Sequence, residues 1–254
     1  MKHPHISIIT PCLNSAATIR TTILSVIQQK IAVEYIIIDG GSTDGTLAII
    51  NEYTDKISHV ISEPDNGISD AFNKGIRLAN GEIIGILNSD DCYEPNALKT
   101  ISDIFQTYSP EVVHGNLQYE TPTGERFLEK PSPEKIWQLM TIYHPTMFVR
   151  KEIYDRIGAY KEDYLYAMDS EWVHRAHKMH VTFHYIDKTV TTMMLGGVSD
   201  RLRKHALNEF KKSTITHGTS QLTANYYYYR QRVIQALMSR PWLRRLNFLL
   251  RRQH

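Results

Sequence analysis

The 254-residue chain has two cysteines, Cys12 and Cys92, too few for a disulfide framework or a zinc-ligand set, which favours a reducing compartment. No apolar run approaches the roughly 20 residues that a membrane-spanning helix needs. The opening stretch, MKHPHISIITPCLN, has neither the apolar length nor the flanks of a secretion signal. These absences predict a cytoplasmic protein. Glycine is missing where the first strand signal, Ile6–Thr10, runs into Thr-Pro-Cys-Leu-Asn, so a dinucleotide fingerprint is excluded there, and no G-x-x-x-x-G-K-S/T loop occurs. Acidic residues are missing beyond Glu209, whereas nine lysines and arginines follow it. The chain's formal net charge is +2, yet residues 1–209 carry −7 and the tail +9. An acidic body with a cationic tail suggests two jobs, and the body argues against a nucleic-acid-tracking surface.

What is present is a regular alternation. Strand signals at Ile6–Thr10, Tyr35–Ile38, His59–Ser62 and Ile83–Leu87 alternate with helical spacing after Ser15 or Thr18, over Thr46–Tyr53 and over Ile68–Ala79. That order predicts an α/β fold with a parallel, doubly wound sheet and a ligand at the strand carboxyl ends. Further signals are a helix over Leu98–Tyr108, a strand from Val112, hairpin-like pieces around Gln118–Leu128, a strand over Thr146–Val149, and helices over Lys151–Ile157 and Met168–His180. Residues 131–197 are expected to pack on the same sheet as the other wall of the crevice.

The run Ile83-Ile-Gly-Ile-Leu-Asn-Ser-Asp90-Asp91 reads as a buried strand ending in adjacent carboxylates. Such a pair suits a divalent cation shared with substrate phosphates, or a solvated Asp-rich turn. Asp39 ends the second strand, where it would meet a ribose hydroxyl or base N–H, or cap the glycine-rich turn Gly40–Gly45. Asp70, Asn73 and Lys74 punctuate a helix whose first turn offers free N–H groups to phosphate or sugar hydroxyls. His144, before the Thr146 strand, either holds sugar hydroxyls or packs.

Four segments, taken in order, resemble the family-two glycosyltransferases of the GT-A fold. They are Ile8-Ile-Thr-Pro-Cys-Leu-Asn14, Ile36-Ile-Ile-Asp-Gly-Gly-Ser-Thr-Asp-Gly-Thr46, Glu63-Pro-Asp-Asn-Gly-Ile-Ser-Asp-Ala-Phe-Asn-Lys-Gly75 and Leu87-Asn-Ser-Asp-Asp91. The likeness is greatest to bacterial enzymes of exopolysaccharide and lipopolysaccharide synthesis. It implies a GT-A domain over 1–200, with a nucleotide-sugar-binding half (1–115) and an acceptor half (116–200), and a basic helical extension over 201–254. It implies that Thr10, Pro11 and Asn14 line the nucleoside pocket, that Asp39 binds the base, commonly uracil, and that Asp44 braces the loop.

By the same resemblance, Asn88, Ser89 and Asp90 occupy the Asp-x-Asp position. Asp90 would be the ligand of Mn²⁺ or Mg²⁺ and Asp91 its helper. Asn88 departs from the leading Asp, and Leu195-Gly-Gly-Val-Ser199 lacks the late metal-binding histidine of some members, for which His205 is a weak substitute. Asp169 keeps the place of the catalytic base although Met168 replaces the preceding Glu, with Glu171 nearby to tune it, and Arg175 is expected in a structural pairing. The implied activity is inverting transfer from a nucleotide-diphosphate sugar, foremost a UDP-sugar, to a glycan or lipid-linked acceptor. The alternatives are a sugar-1-phosphate nucleotidyltransferase or a non-catalytic nucleotide-sugar-binding protein.

In the tail, Trp242, Leu243, Leu246, Leu249 and Leu250 recur at helical spacing opposite four arginines. This predicts a basic amphipathic helix that lies on the anionic inner face of a membrane or docks on protein.

Overall fold

A computed structural model describes residues 5–121, 123–195 and 202–238. The strands are β1 (Ile6–Cys12), β2 (Glu34–Asp39), β3 (His59–Ser62), β4 (Ile83–Ile86), β5 (Asp91–Tyr93), β6 (Val112–Glu120), β7 (Arg126–Glu129), β8 (Met147–Arg150) and β9 (Phe183–Met194). They form one sheet in the order β3-β2-β1-β4-β8-β6-β9-β5, with β7 folded back on β6. The first four strands are parallel, as the alternation predicted. β8 reverses direction between β4 and β6, and β5 runs against β9, so the sheet is mixed.

The helices are α1 (Ile19–Ile27), α2 (Thr46–Asn51), α3 (Ile68–Leu78), α4 (Ala97–Tyr108), α5 (Lys151–Ile157), α6 (Met168–Lys178), α7 (Arg203–Thr216) and α8 (Gln221–Met238). Both faces of the sheet are covered. Ile9, Ile36, Ile38, Ile84 and Ile86 pack with Phe72 and Ile76 of α3 and Trp172 of α6. Their neighbours Ile6, Ile8, Ile37 and Ile83 pack with Ile23 of α1 and Leu98, Ile101 and Phe105 of α4. Burial on two faces is why these strands read as unbroken apolar runs. Two glycines allow close approach. A Cβ at Gly75 would lie 2.3 Å from Ile9 Cγ2, so α3 seats directly on β1, and one at Gly85 would lie 2.7 Å from the Phe148 ring across β4 and β8.

β1 runs through Pro11 to Cys12, two residues beyond the expected end at Thr10. Ile9 O accepts from Leu87 on the β4 side and Cys12 O accepts from Gly40 on the β2 side. The N–H that Pro11 lacks would face β4 beyond its last partner, Ile86, so no ladder bond is lost. α6 ends two residues before the expected His180, which adopts φ 58°. β5 and β9 were not anticipated.

α7 is bound to α6 through polar groups. His174 Nε2–H donates to Ile136 O at 2.8 Å, and Ser213 Oγ–H donates to His174 Nδ1 at 2.7 Å. Glu209 accepts the backbone N–H groups of Leu165, Tyr166 and Ala167 at 3.0, 2.7 and 2.9 Å, just before α6 begins. The expected division at residue 200, most of the Leu195–Ser199 segment and the helix expected around Trp242 lie outside the described residues. Among those that are described, no helix is long and apolar enough to cross a membrane.

Candidate active site

The parallel strands deliver their carboxyl ends to one edge, where the polar loops gather. Asn14, just past β1, sits in the left-handed region (φ 50°), a conformation that asparagine tolerates. Its N–H donates to Ser42 Oγ at 2.7 Å and its Oδ1 accepts from Thr43 N at 2.9 Å, which laces the β1 end to the 40–45 loop. Asp44 accepts from Ala16 N and Thr46 N, each at 3.0 Å, and from Thr46 Oγ1 at 2.6 Å. It therefore braces the loop.

Asp39 is fully buried. Ser42 Oγ, Ser62 Oγ, the N–H groups of Gly41 and Ser42, and the Cys12 thiol all donate to it. Burial alone would raise its carboxyl, but these donors outweigh it and hold the group below the usual range. Its oxygens are engaged in the turn-capping arrangement. Thr10 is also fully buried, with its hydroxyl 3.2 Å from Tyr35 Oη, so its side chain does not reach the edge as the resemblance implied. Buried Pro11 forms the strand floor there.

Asn88, Ser89 and Asp90 follow β4 and are half-buried. Ser89 Oγ lies 2.7 Å from Ser15 Oγ, which ties this turn to the β1 loop. Asp91 is 1% exposed: it opens β5, pairs with Met193, and accepts from Asn88 Nδ2 at 3.2 Å. Burial raises the Asp90 carboxyl, partly offset by its own N–H and by the nearby His144. Burial and then the charge of Asp90 push Asp91 well above the usual range. Asn88 Oδ1 is buried with no hydrogen-bond partner among the described residues.

Two crowded carboxyls and an orphaned amide oxygen make an all-oxygen donor set that lacks positive charge. This suits a hard divalent cation completed by phosphate oxygens. Among the described residues no three His, Cys, Asp or Glu side chains gather as a metal site, so Asp90, Asp91 and Asn88 would hold such an ion only with oxygens brought by a ligand.

Asp70 lies in the first turn of α3, after Gly67 (φ 107°). It accepts from Asn66 N at 3.1 Å and pairs with Lys74 at 3.3 Å, while Lys74 also reaches Glu63 at 2.9 Å. Asn73 is absorbed by Tyr160, whose O and N it bonds at 2.8 and 2.9 Å. Only Asp70 and Lys74 of that trio stay near the rim.

Asp169 opens α6, and its Oδ2 lies 3.4 Å from His144 Nδ1. His144 stands in a short 3-10 turn, His144–Thr146, leading into β8, and β8 runs against β4. The reversal brings the start of β8 beside the end of β4, so Asp90, His144 and Asp169 meet at one edge. Glu171 does not face Asp169 as expected. It is fully buried among Arg175 (2.8 Å), Lys161 (3.0 Å) and His217 (3.1 Å), and Arg175 and Lys161 hold its carboxyl low against its burial. Arg175 is a structural partner, as predicted, and also binds the carbonyls of Ile157, Gly158 and Ala159. His205 packs its ring against Tyr166.

The sequence does not single out Glu209 as a site residue, and it reads His144 as a sugar-hydroxyl or packing histidine, not as the partner of Asp169. His144 touches partners 25 and 72 positions away, and no spacing signals that. An open groove of about 640 Å³, lined by Trp137, His177, Lys178, His180 and His217 among others, lies at the opposite end of α6 from Asp169.

Residues 7–161 match the family described as Glycosyl transferase family 2. The PGL/p-HBAD biosynthesis glycosyltransferase of Mycobacterium bovis (strain BCG / Pasteur 1173P2) is 30% identical over 170 residues, which cover 65% of this chain and 66% of that protein. Glycosyltransferase AglE of Haloferax volcanii is 25% identical over 186 residues, covering 68% of this chain and 61% of its own. The chain thus spans less than two thirds of AglE and 66% of the mycobacterial protein.

Among solved structures, the mannosyltransferase PcManGT from Pyrobaculum calidifontis, in complex with GDP-Man and Mn2+, gives a TM-score of 0.69 at 18% identity over 90% of this chain and 70% of that one. S. aureus TarS gives 0.67 at 18% identity over 88% of this chain and 42% of that one. A TarS 1-349 structure is in complex with UDP-GlcNAc. At such identity these likenesses show the fold alone.

Proposed function

The chain belongs to glycosyl transferase family 2, and from that premise we propose that it moves a sugar from a nucleotide-diphosphate donor, foremost a UDP-sugar, to a hydroxyl of a glycan or lipid-linked acceptor, with inversion. The observation that carries this reading is the meeting of the Asp90 turn and Asp169 at one sheet edge, through His144. The nucleoside lies against the Pro11–Asn14 segment and the loop that Asp39 and Asp44 hold rigid. Asp70 and Lys74 line the rim toward the phosphates. Asp169 Oδ2 accepts the proton of the acceptor hydroxyl from the face opposite the leaving group, so the alcohol becomes nucleophilic as the glycosidic bond breaks.

Asp90 would hold Mn²⁺ or Mg²⁺, with Asp91 and the unpartnered Asn88 Oδ1 as the neighbouring oxygen donors. The chemistry it would supply there is neutralisation of the charge growing on the departing diphosphate. Family membership disfavours the nucleotidyltransferase alternative. The carboxylates at both ends of the cleft disfavour mere binding.

Location at the cytoplasmic face of a membrane, in cell-surface polysaccharide or lipopolysaccharide synthesis, belongs to the same proposal. α8 exposes Leu222, Tyr226, Tyr229, Val233 and Leu237, which fall on one helical stripe. No acidic residue follows Glu209, and cationic residues beside an apolar stripe suit an anionic lipid surface. The test of donor class is thermal stability with UDP-GlcNAc or GDP-mannose, with and without Mn²⁺. A donor at 100 times its Kd should stabilise by about 2.7 kcal/mol, and the metal should strengthen the effect. No shift with any nucleotide sugar would overturn the proposal.

A further inference from the structure

His144 is not claimed by the reaction as drawn, yet its surroundings fix it tightly. The residue is 8% exposed. Its ring lies 5.5 Å from that of Phe72, tilted by 52°. The turn that bears it is held from within and from one neighbouring strand: Thr146 N and Thr146 Oγ1 donate to Tyr143 O at 2.9 and 2.8 Å, and Thr191 Oγ1 of β9 donates to Pro145 O at 2.6 Å. Asp169 divides its oxygens. Oδ1 accepts Ser170 N at 2.7 Å, so Oδ2, the atom nearest His144, has the imidazole as its protein partner.

An ionised carboxylate only accepts, so the contact requires the proton on Nδ1. In the neutral ring that tautomer leaves Nε2 unprotonated, buried and without a partner among the described residues. A buried nitrogen left orphaned in so rigid a setting indicates that the ring is placed for its other nitrogen.

We propose that His144 is a positioning residue that aims Asp169 Oδ2 at the acceptor hydroxyl by donating from Nδ1 in a locked tautomer. The 3.4 Å separation is a resting distance, which shortens when the acceptor aligns the carboxylate. The functional consequence rests on the glycosyl-transfer reading; the tautomer does not.

The test therefore has two readouts. In the full chain labelled with ¹⁵N-histidine, long-range ¹H–¹⁵N spectra, assigned by difference with His144→Asn, should show His144 protonated at Nδ1. Asp169→Asn should redistribute that proton. An Nε2-protonated ring in the wild type overturns the proposal.

The second readout is nucleoside diphosphate release from UDP-GlcNAc or GDP-mannose. His144→Asn keeps an N–H near the Nδ1 position, whereas His144→Gln moves it to Nε2. The Gln and Ala variants should lose about 10- to 100-fold in kcat, as when the partner of a working group is removed, with KM for donor unchanged and the Asn variant close to wild type. Equal Asn and Gln variants, or a loss in KM alone, overturn the proposal. A wild type that releases no nucleotide from any sugar donor fails the glycosyl-transfer reading, while the spectra still decide the role of His144.

Discussion

Glu209 sits on a helix that sequence reading assigned to an appendage, yet its carboxylate takes three successive N–H groups immediately before the helix that carries Asp169. A hydrogen bond to a charged group contributes about 1.5–3 kcal/mol. The three share one half-exposed carboxylate and are not additive, so Glu209→Ala should destabilise by about 3 kcal/mol, less than the roughly 4.5 kcal/mol that three independent low-end bonds would sum to. Glu209→Gln keeps the shape and one acceptor oxygen, and should cost about half as much. For a chain of this size about 3 kcal/mol lowers Tm by roughly 6–12 °C.

Scanning calorimetry measures the shift, and amide exchange at Leu165, Tyr166 and Ala167 localises it. Nucleotide-sugar affinity should hold while turnover falls, because the displaced residues bear Asp169 and not the nucleoside loop. A Glu209→Ala protein that melts like the wild type and keeps those amides protected would refute the reasoning.

Asp169→Asn should retain donor affinity, measured calorimetrically with UDP-GlcNAc or GDP-mannose, and lose about 100-fold or more in turnover; near-normal turnover would remove Asp169 from the chemistry. His114 and His174 are held neutral by burial with pKa near 4. Their contribution to stability is therefore complete above the unfolded value of about 6.5 and lost as pH falls toward 4, at up to about 1.4 kcal/mol per pH unit for each. Asp90 and Asp91 pull the other way as their raised carboxyls protonate, so the measurement is the difference in urea midpoint against pH between wild type and His114→Asn, and parallel curves would exclude the effect. Replacing Tyr226, Tyr229 and Val233 of α8 by serine should abolish sedimentation with anionic vesicles and leave Tm within about 2 °C, since exposed sites carry little stability; unchanged sedimentation would discard the membrane surface.

The parallel half of the sheet was legible because burial on both faces writes Ile-rich runs at β1, β2 and β4 directly into the chain, and glycine-rich punctuation separates them. The loop-bracing role of Asp44 was legible for a similar reason, since its partners Ala16 and Thr46 sit on motifs already in view. β5 was hidden because it is three residues long and begins with Asp91, which reads as part of a turn. β9 was hidden because Asp187 and Lys188 interrupt its apolar pattern and its pairing with β6 slips between His114 and Leu117. The Thr10 side chain, Glu171 and His144 share a different difficulty. Where each points depends on a partner far along the sequence: Tyr35, Lys161 with His217, or Asp169. Local spacing carries no signal for any of these.

Gly85 faces Phe148 at a separation that would not admit even a methyl group, which has an engineering consequence. The β4–β8 rung is the chassis on which the Asp90 turn and His144 are both mounted, and its gauge is set by a missing side chain. Alanine at position 85 would spread the two mounts together and mistune the cleft without touching any group that meets a sugar. Attempts to re-target the protein to another nucleotide should therefore leave this rung alone and exchange side chains in the 40–45 loop at constant length, because bonds from Asn14, Asp39 and Asp44 tie that loop to the strand ends.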